Sequence, residues 1–122
     1  MHTVHIGYSS ELTGKEMRQL FDIDPDHPEL LSKFSQLFGG GYIDPGSHET
    51  YDKTEQNTGH FTAKYLDKLF PFELDKITLL QLEEAGAQSV FYVETGSVQT
   101  FQSISPSIHI IRKFEFEKYD FE

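Results

Sequence analysis

Ser89-Val90-Phe91-Tyr92-Val93-Glu94 is the stretch whose reading decides the fold. Its β-branched and aromatic residues suit a pleated, packed surface, and Thr95-Gly96 after it turns the chain, so it reads as a strand. Toward the C-terminus, residues 98–104 read as the returning strand of a hairpin and residues 108–116 as a last strand. Ile108, Ile110, Arg112, Phe114 and Phe116 are expected on one face of that strand. Toward the N-terminus, Gly86 stops a helix over residues 74–85. Pro71 ends another, capped by Thr58, that carries Phe61, Tyr65, Leu66, Leu69 and Phe70. Residues 47–57 are polar and read as a strand edge plus a loop. Pro45-Gly46 is a turn, and residues 42–44 form a short strand. Gly39-Gly40-Gly41 ends a helix that begins at Pro28, with Glu29 near its positive end. Leu30, Leu31, Phe34, Leu37 and Phe38 follow helical spacing in that helix.

The opening segment shows the same grammar. Thr13 and Glu16 form a capping box, with Leu12 and Met17 as its hydrophobic staple, and the helix runs to about Phe21. Residues 3–8 form a first strand with Val4 and Ile6 on one face and His5 on the other. Strands at both ends with helices between them give an α+β fold. We expect a mainly antiparallel sheet of about four to five strands with helices packed on one face.

The 122 residues fit a single globular domain over residues 1–122, and no repeat or linker divides them. The apolar share of 37% is low, but eleven Phe and six Tyr supply a core built on large rings. Cysteine is absent, which excludes a disulfide framework, a thiolate metal site and a Cys nucleophile. No apolar run is long enough to span a bilayer, and the first residues carry no secretory signal pattern. The expected setting is therefore the cytoplasm, away from membranes. Twenty Asp and Glu against ten Lys and Arg leave a net charge of −10. That field repels phosphate backbones, which argues against direct nucleic-acid binding, and draws basic proteins.

The chemistry-bearing residues are acids. Asp22-Ile23-Asp24-Pro25-Asp26 begins like a calcium loop, but the sixth and twelfth positions are His27 and Lys33, where Gly and a bidentate acid are required. The segment reads instead as an acidic loop with helix-capping duties or as a docking surface for Lys or Arg. A second group interleaves Asp44, Glu49, Asp52 and Glu55 with Tyr42, His48 and Tyr51, a mixture suited to an interface. His48, Glu49 and Asp52 form the one His-acid cluster with any metal-site character; no H-x-x-x-H or H-E-x-x-H spacing occurs. Gly39-Gly40-Gly41 follows a helix instead of opening one, so it is no phosphate cradle. No Ser lies in a nucleophile elbow. Residues 114–122 alternate rings and acids, which in a strand puts each kind on its own face.

The order of several short segments resembles the immunity 22 family of polymorphic-toxin immunity proteins. These are Val4-His5-Ile6-Gly7, the acidic break at residues 22–26, Ser32-Lys33-Phe34, Phe38-Gly39 leading into Tyr42-Ile43-Asp44 and Glu49, the helix before Gly86, the strand at residues 89–93 and the closing strand. The resemblance implies a stoichiometric inhibitor made beside a toxin, often a nuclease, whose active site or essential surface it covers. Tyr42, Asp44 and Glu49 are where the pattern matches best.

The expected function is an immunity or inhibitor protein, not an enzyme and without cofactor, that binds and occludes a basic toxin. The expected partner-binding residues are Asp22, Asp24, Asp26, Tyr42, Asp44, Glu49, Tyr51 and Asp52. Two alternatives stand beside it. One is an acidic DNA-mimic inhibitor of a DNA-binding enzyme. The other is a small metal-dependent hydrolase using His48, Glu49 and Asp52.

Overall fold

The computed structural model describes residues 2–38, 46–55, 59–71, 73–95 and 107–116. In chain order these form β1 (His2–Ser9), α1 (Gly14–Phe21), α2 (Lys33–Phe38), β2 (His48–Asp52), a 3-10 turn (Lys53–Glu55), α3 (Ala63–Leu69), α4 (Lys76–Glu84), β3 (Ser89–Thr95) and β4 (Ile108–Phe116). The described strands make one antiparallel sheet in the order β2-β3-β1-β4. The α+β class and the antiparallel sheet agree with the sequence reading. The expected strand at residues 98–104, the short strand at 42–44, the Gly39-Gly40-Gly41 stop and the Thr58 cap lie outside the described residues.

The helices do not share one face of the sheet, as the sequence reading expected; they cover both. On one face Val4, Ile6 and Val90 pack with Phe61, Leu66 and Phe70 around α3 and with Leu74, Leu79 and Leu82 around α4. On the other, Phe91, Val93 and Ile108 pack with Met17 and Phe21 of α1 and Phe34 of α2. The reason lies in β3. Adjacent Val90 and Phe91 are both fully buried, as is Val93, which a strand with one wet face does not allow. His5, expected opposite the core, is 1% exposed because its face is also covered. The rings of Phe21, Phe34 and Phe91 meet at centroid distances of 4.5 to 5.7 Å. Truncating such a ring to Ala typically costs about 3–5 kcal/mol.

Two helices start by the same device. Thr13 Oγ1 accepts from Glu16 N at 3.2 Å while Glu16 Oε1 accepts from Thr13 N at 3.1 Å, which completes the expected capping box. Thr62 Oγ1 accepts from Tyr65 N at 3.3 Å, so Thr62 caps α3. Leu12 with Met17, and Phe61 with Leu66, supply the apolar pair that straddles each start. At the end of α4, Gly86 takes φ 60°, a conformation that suits a residue without Cβ.

The helix expected from Pro28 begins only at Lys33. Residues before it fold back as a loop: Ile23 bridges Ser32, Asp24 N donates to Leu31 O at 3.3 Å, and Leu30 N donates to His27 O at 3.0 Å. Leu30 takes φ 55°, which breaks any helix running through it. Ser32 then caps α2, its Oγ accepting from Ser35 N at 3.2 Å.

The alternation expected along β4 also fails at one point. The pairing of β4 with β1 shifts between Ile6 and Gly7: Ile110 lies opposite Gly7, but Arg112 lies opposite Ile6. The extra residue is a bulge, and it moves Arg112 to the face opposite Ile108 and Ile110. Gly7 is what lets the strands close here. A Cβ on it would meet the His109 carbonyl oxygen and lie 2.7 Å from Phe91 Cζ. Gly7→Ala should therefore destabilise the fold by about 1–3 kcal/mol or more, measured by urea denaturation. An unchanged midpoint would show that the bulge has room to spare.

Candidate functional site

Phe21 is the last residue of α1, and its ring is buried in the core. The chain therefore leaves the helix at Asp22 facing solvent, and the loop that follows is held shut at its base by the Ile23–Ser32 bridge. Inside it, Asp24 Oδ1 accepts from Asp26 N at 3.0 Å and Asp24 Oδ2 accepts from the Gln36 side chain at 3.1 Å. Those bonds, the Gln36 one foremost, hold the Asp24 carboxyl below the usual carboxylate range. His27 Nδ1 accepts from Glu29 N at 3.1 Å and fixes the next turn. The loop is thus built from its own polar contacts, and it keeps the acids displayed.

Three of the expected site residues come together here. Asp22, Asp24 and Asp26 line one open hollow of about 270 Å³, with Ile23 and Lys33 on its wall. A second hollow of about 350 Å³ adjoins it, lined by Leu20, Gln36 and Leu37 and sharing Asp24 and Lys33. Ile23, Leu30 and Leu37 are 36%, 48% and 42% exposed. Reading Leu30 and Leu37 only as members of a helix from Pro28 missed this apolar surface. The Ser32 cap was the available signal, since a Ser directly before Lys33 competes with Pro28 as the helix start.

The second group is split by the sheet. Glu49 lies opposite Tyr92 and Tyr51 opposite Val90, so both project on the face of α3 and α4. Glu49 is exposed. Tyr51 is half-buried and its hydroxyl donates to Leu69 O at 3.0 Å; burial first, then Tyr92 and Glu49, push its phenol up to about 12. Asp52 lies opposite Ser89 on the other face and is buried. Its carboxylate accepts from Gly14 N at 2.5 Å, from Thr54 N at 2.9 Å and Thr54 Oγ1 at 2.8 Å, and from the Gln88 amide at 3.2 Å. The contact is close enough that a Cβ on Gly14 would lie 2.9 Å from Asp52 Cβ. Asp52 is therefore tied to the start of α1 and the end of β2, its oxygens turned inward. Tyr42 and Asp44 lie outside the described residues.

His48 sits between the two acidic groups. Its ring stacks on Phe21 at 4.6 Å. Burial lowers its pKa, while Glu49 and Asp22 pull the other way. His48 and Asp52 share one face of β2 and Glu49 the other, so the three do not converge. Among the described residues no group of three or more His, Asp or Glu is placed to hold a metal ion. Nor is any helix there long and apolar enough to cross a membrane. Beside this site, Arg18 Nη2 donates to Thr50 O at 2.7 Å and pairs with Glu55 at 3.1 Å, arching from α1 over β2. Comparison with protein-family models, curated proteins and solved structures finds no match.

Two titrating groups make the fold beneath this surface sensitive to pH. Burial, seconded by the Lys113 ammonium, pushes the His5 imidazole down from 6.5 to about 4. The unfolded chain then binds the proton more readily. Stability is full above 6.5 and falls as pH drops toward about 4, with a slope approaching about 1.4 kcal/mol per pH unit. Denaturant titrations across that window should give a shallower dependence for His5→Val than for the parent; parallel curves would refute the assignment. For Asp52, burial alone would raise the carboxyl, but the bonds from Gly14, Thr54 and Gln88 prevail and hold it below 3.8. Its contribution is present above that value and lost as pH falls through it. Asp52→Asn should cost about 1–3 kcal/mol near neutral pH, and the gap to the parent should close in acid. A gap that persisted at low pH would mean the charge is not what stabilises.

Proposed function

We propose that this chain is a binding protein, without catalysis of its own, that occludes a basic partner. An immunity protein against a toxin, a nuclease among the candidates, is the specific form. One observation carries it: Asp22, Asp24 and Asp26 share a hollow that adjoins exposed apolar surface at Ile23 and Leu37. Acids alone would serve solubility. Acids beside accessible apolar side chains offer both steering and contact area to a cationic protein. The resemblance to immunity 22 proteins points the same way, as does the net charge of −10.

Glu49 and Tyr51 project on the opposite face of the sheet from α1 and stay in the proposal on the sequence pattern alone. Asp52 contributes by anchoring the start of α1, whose end presents the loop. Tyr42 and Asp44 stay in the proposal on the strength of the sequence pattern. Apolar side chains among the acids favour a protein-binding face over a mimic of the phosphate backbone, which needs charge alone. The hydrolase alternative is weakened by the separation of Glu49 from His48 and Asp52.

The test uses the protein encoded beside this one as the partner. Asp22→Lys, Asp26→Lys and Glu29→Lys together, all at exposed positions, should leave the far-UV CD and melting temperature intact. They should weaken binding by at least about tenfold, mostly through the on-rate, and the loss should shrink as salt is raised. The same triple variant should fail to protect cells that express the partner. Unchanged affinity and protection would remove this surface from the proposal.

A further inference from the structure

We infer that the segment recognised by this surface carries an apolar side chain flanked by Lys or Arg, with the apolar side chain seated between Leu20 and Leu37. This deepens the proposed binding of a basic partner and rests on it. The hollow of about 350 Å³ has Leu20 and Leu37 on its wall, and Leu37 is 42% exposed. A volume of that size admits one large aliphatic or aromatic side chain.

Charge decides the occupant. The hollow opens directly onto the one lined by Asp22, Asp24 and Asp26, and the two share Asp24. Between residues 19 and 32 the chain has four carboxylates and neither Lys nor Arg. An apolar side chain can enter only with its neighbours beside those acids, so the neighbours must be cationic. Lys33 stands where the hollows meet and is the sole Lys or Arg between residues 19 and 38. Its ammonium repels a cation at that border, which turns the partner's charge toward Asp22 and Asp26.

The experiment compares two synthetic probes against the full chain by amide-resolved NMR titration. One is hexa-arginine; the other is a dodecapeptide alternating six Arg with Leu and Phe, so that the two carry equal charge. The alternating peptide should bind about tenfold more tightly, with its largest shifts within residues 19–37. Leu37→Ser should abolish that margin while leaving hexa-arginine binding unchanged, and Leu37→Met should restore it. Equal affinity of the two peptides at this surface would overturn the apolar seat and leave the basic-partner reading standing. Shifts centred elsewhere, or none with either peptide, would overturn both.

Discussion

Everything in this molecule depends on β1 and β3 pairing side by side with both of their faces buried. The pairing runs from Thr3 opposite Thr95 to Ser9 opposite Ser89. Neither face of this pair can be left to water, because Val4, Ile6 and Val90 point one way and Phe91 and Val93 the other. Two helices are therefore needed on each side. α1 and α2 supply one layer and α3 and α4 the other. Polar residues caught in the middle, His5 and Thr3 among them, are a consequence of that arrangement.

The candidate surface follows from how the first layer is fastened. α1 is anchored at its start by the Asp52 carboxylate on Gly14 N and at its end by the Phe21 ring against Phe34, Phe91 and His48. With both ends fixed, Asp22 has one direction left. The Ile23–Ser32 bridge then closes a short loop in which carboxylates cannot retreat into the interior. A rigid scaffold carrying a charged loop is a common way to keep a binding surface organised before the partner arrives.

Much of this was legible in the residues. β1, β3 and β4, the Thr13 capping box and the Gly86 stop could be read directly, because strand chemistry and capping are local. The two-sided helix packing was legible in principle. The run Val90-Phe91-Tyr92-Val93 lacks the alternation of a half-wet strand, but the pattern Val4-His5-Ile6 suggested otherwise, and a buried His overrode it. The start of α2 was missed because Pro28 and Ser32 are competing start signals, and long-range pinning at Ile23 decided between them. Of the expected site residues, Asp22, Asp24 and Asp26 cohere because they sit on one loop. Asp52 could not be sorted from Glu49 by composition, since the pleat and a partner 38 residues away, Gly14, determine where its oxygens point.

The arch of Arg18 over β2 has a bearing on how this chain behaves when crowded. Among the described strands β2 lies at one end of the sheet, where a strand from another molecule could attach. The Thr50 carbonyl would be an acceptor for such a guest, and the Arg18 guanidinium already occupies it. With that carbonyl engaged, the rim offers one acceptor fewer to a strand of another molecule.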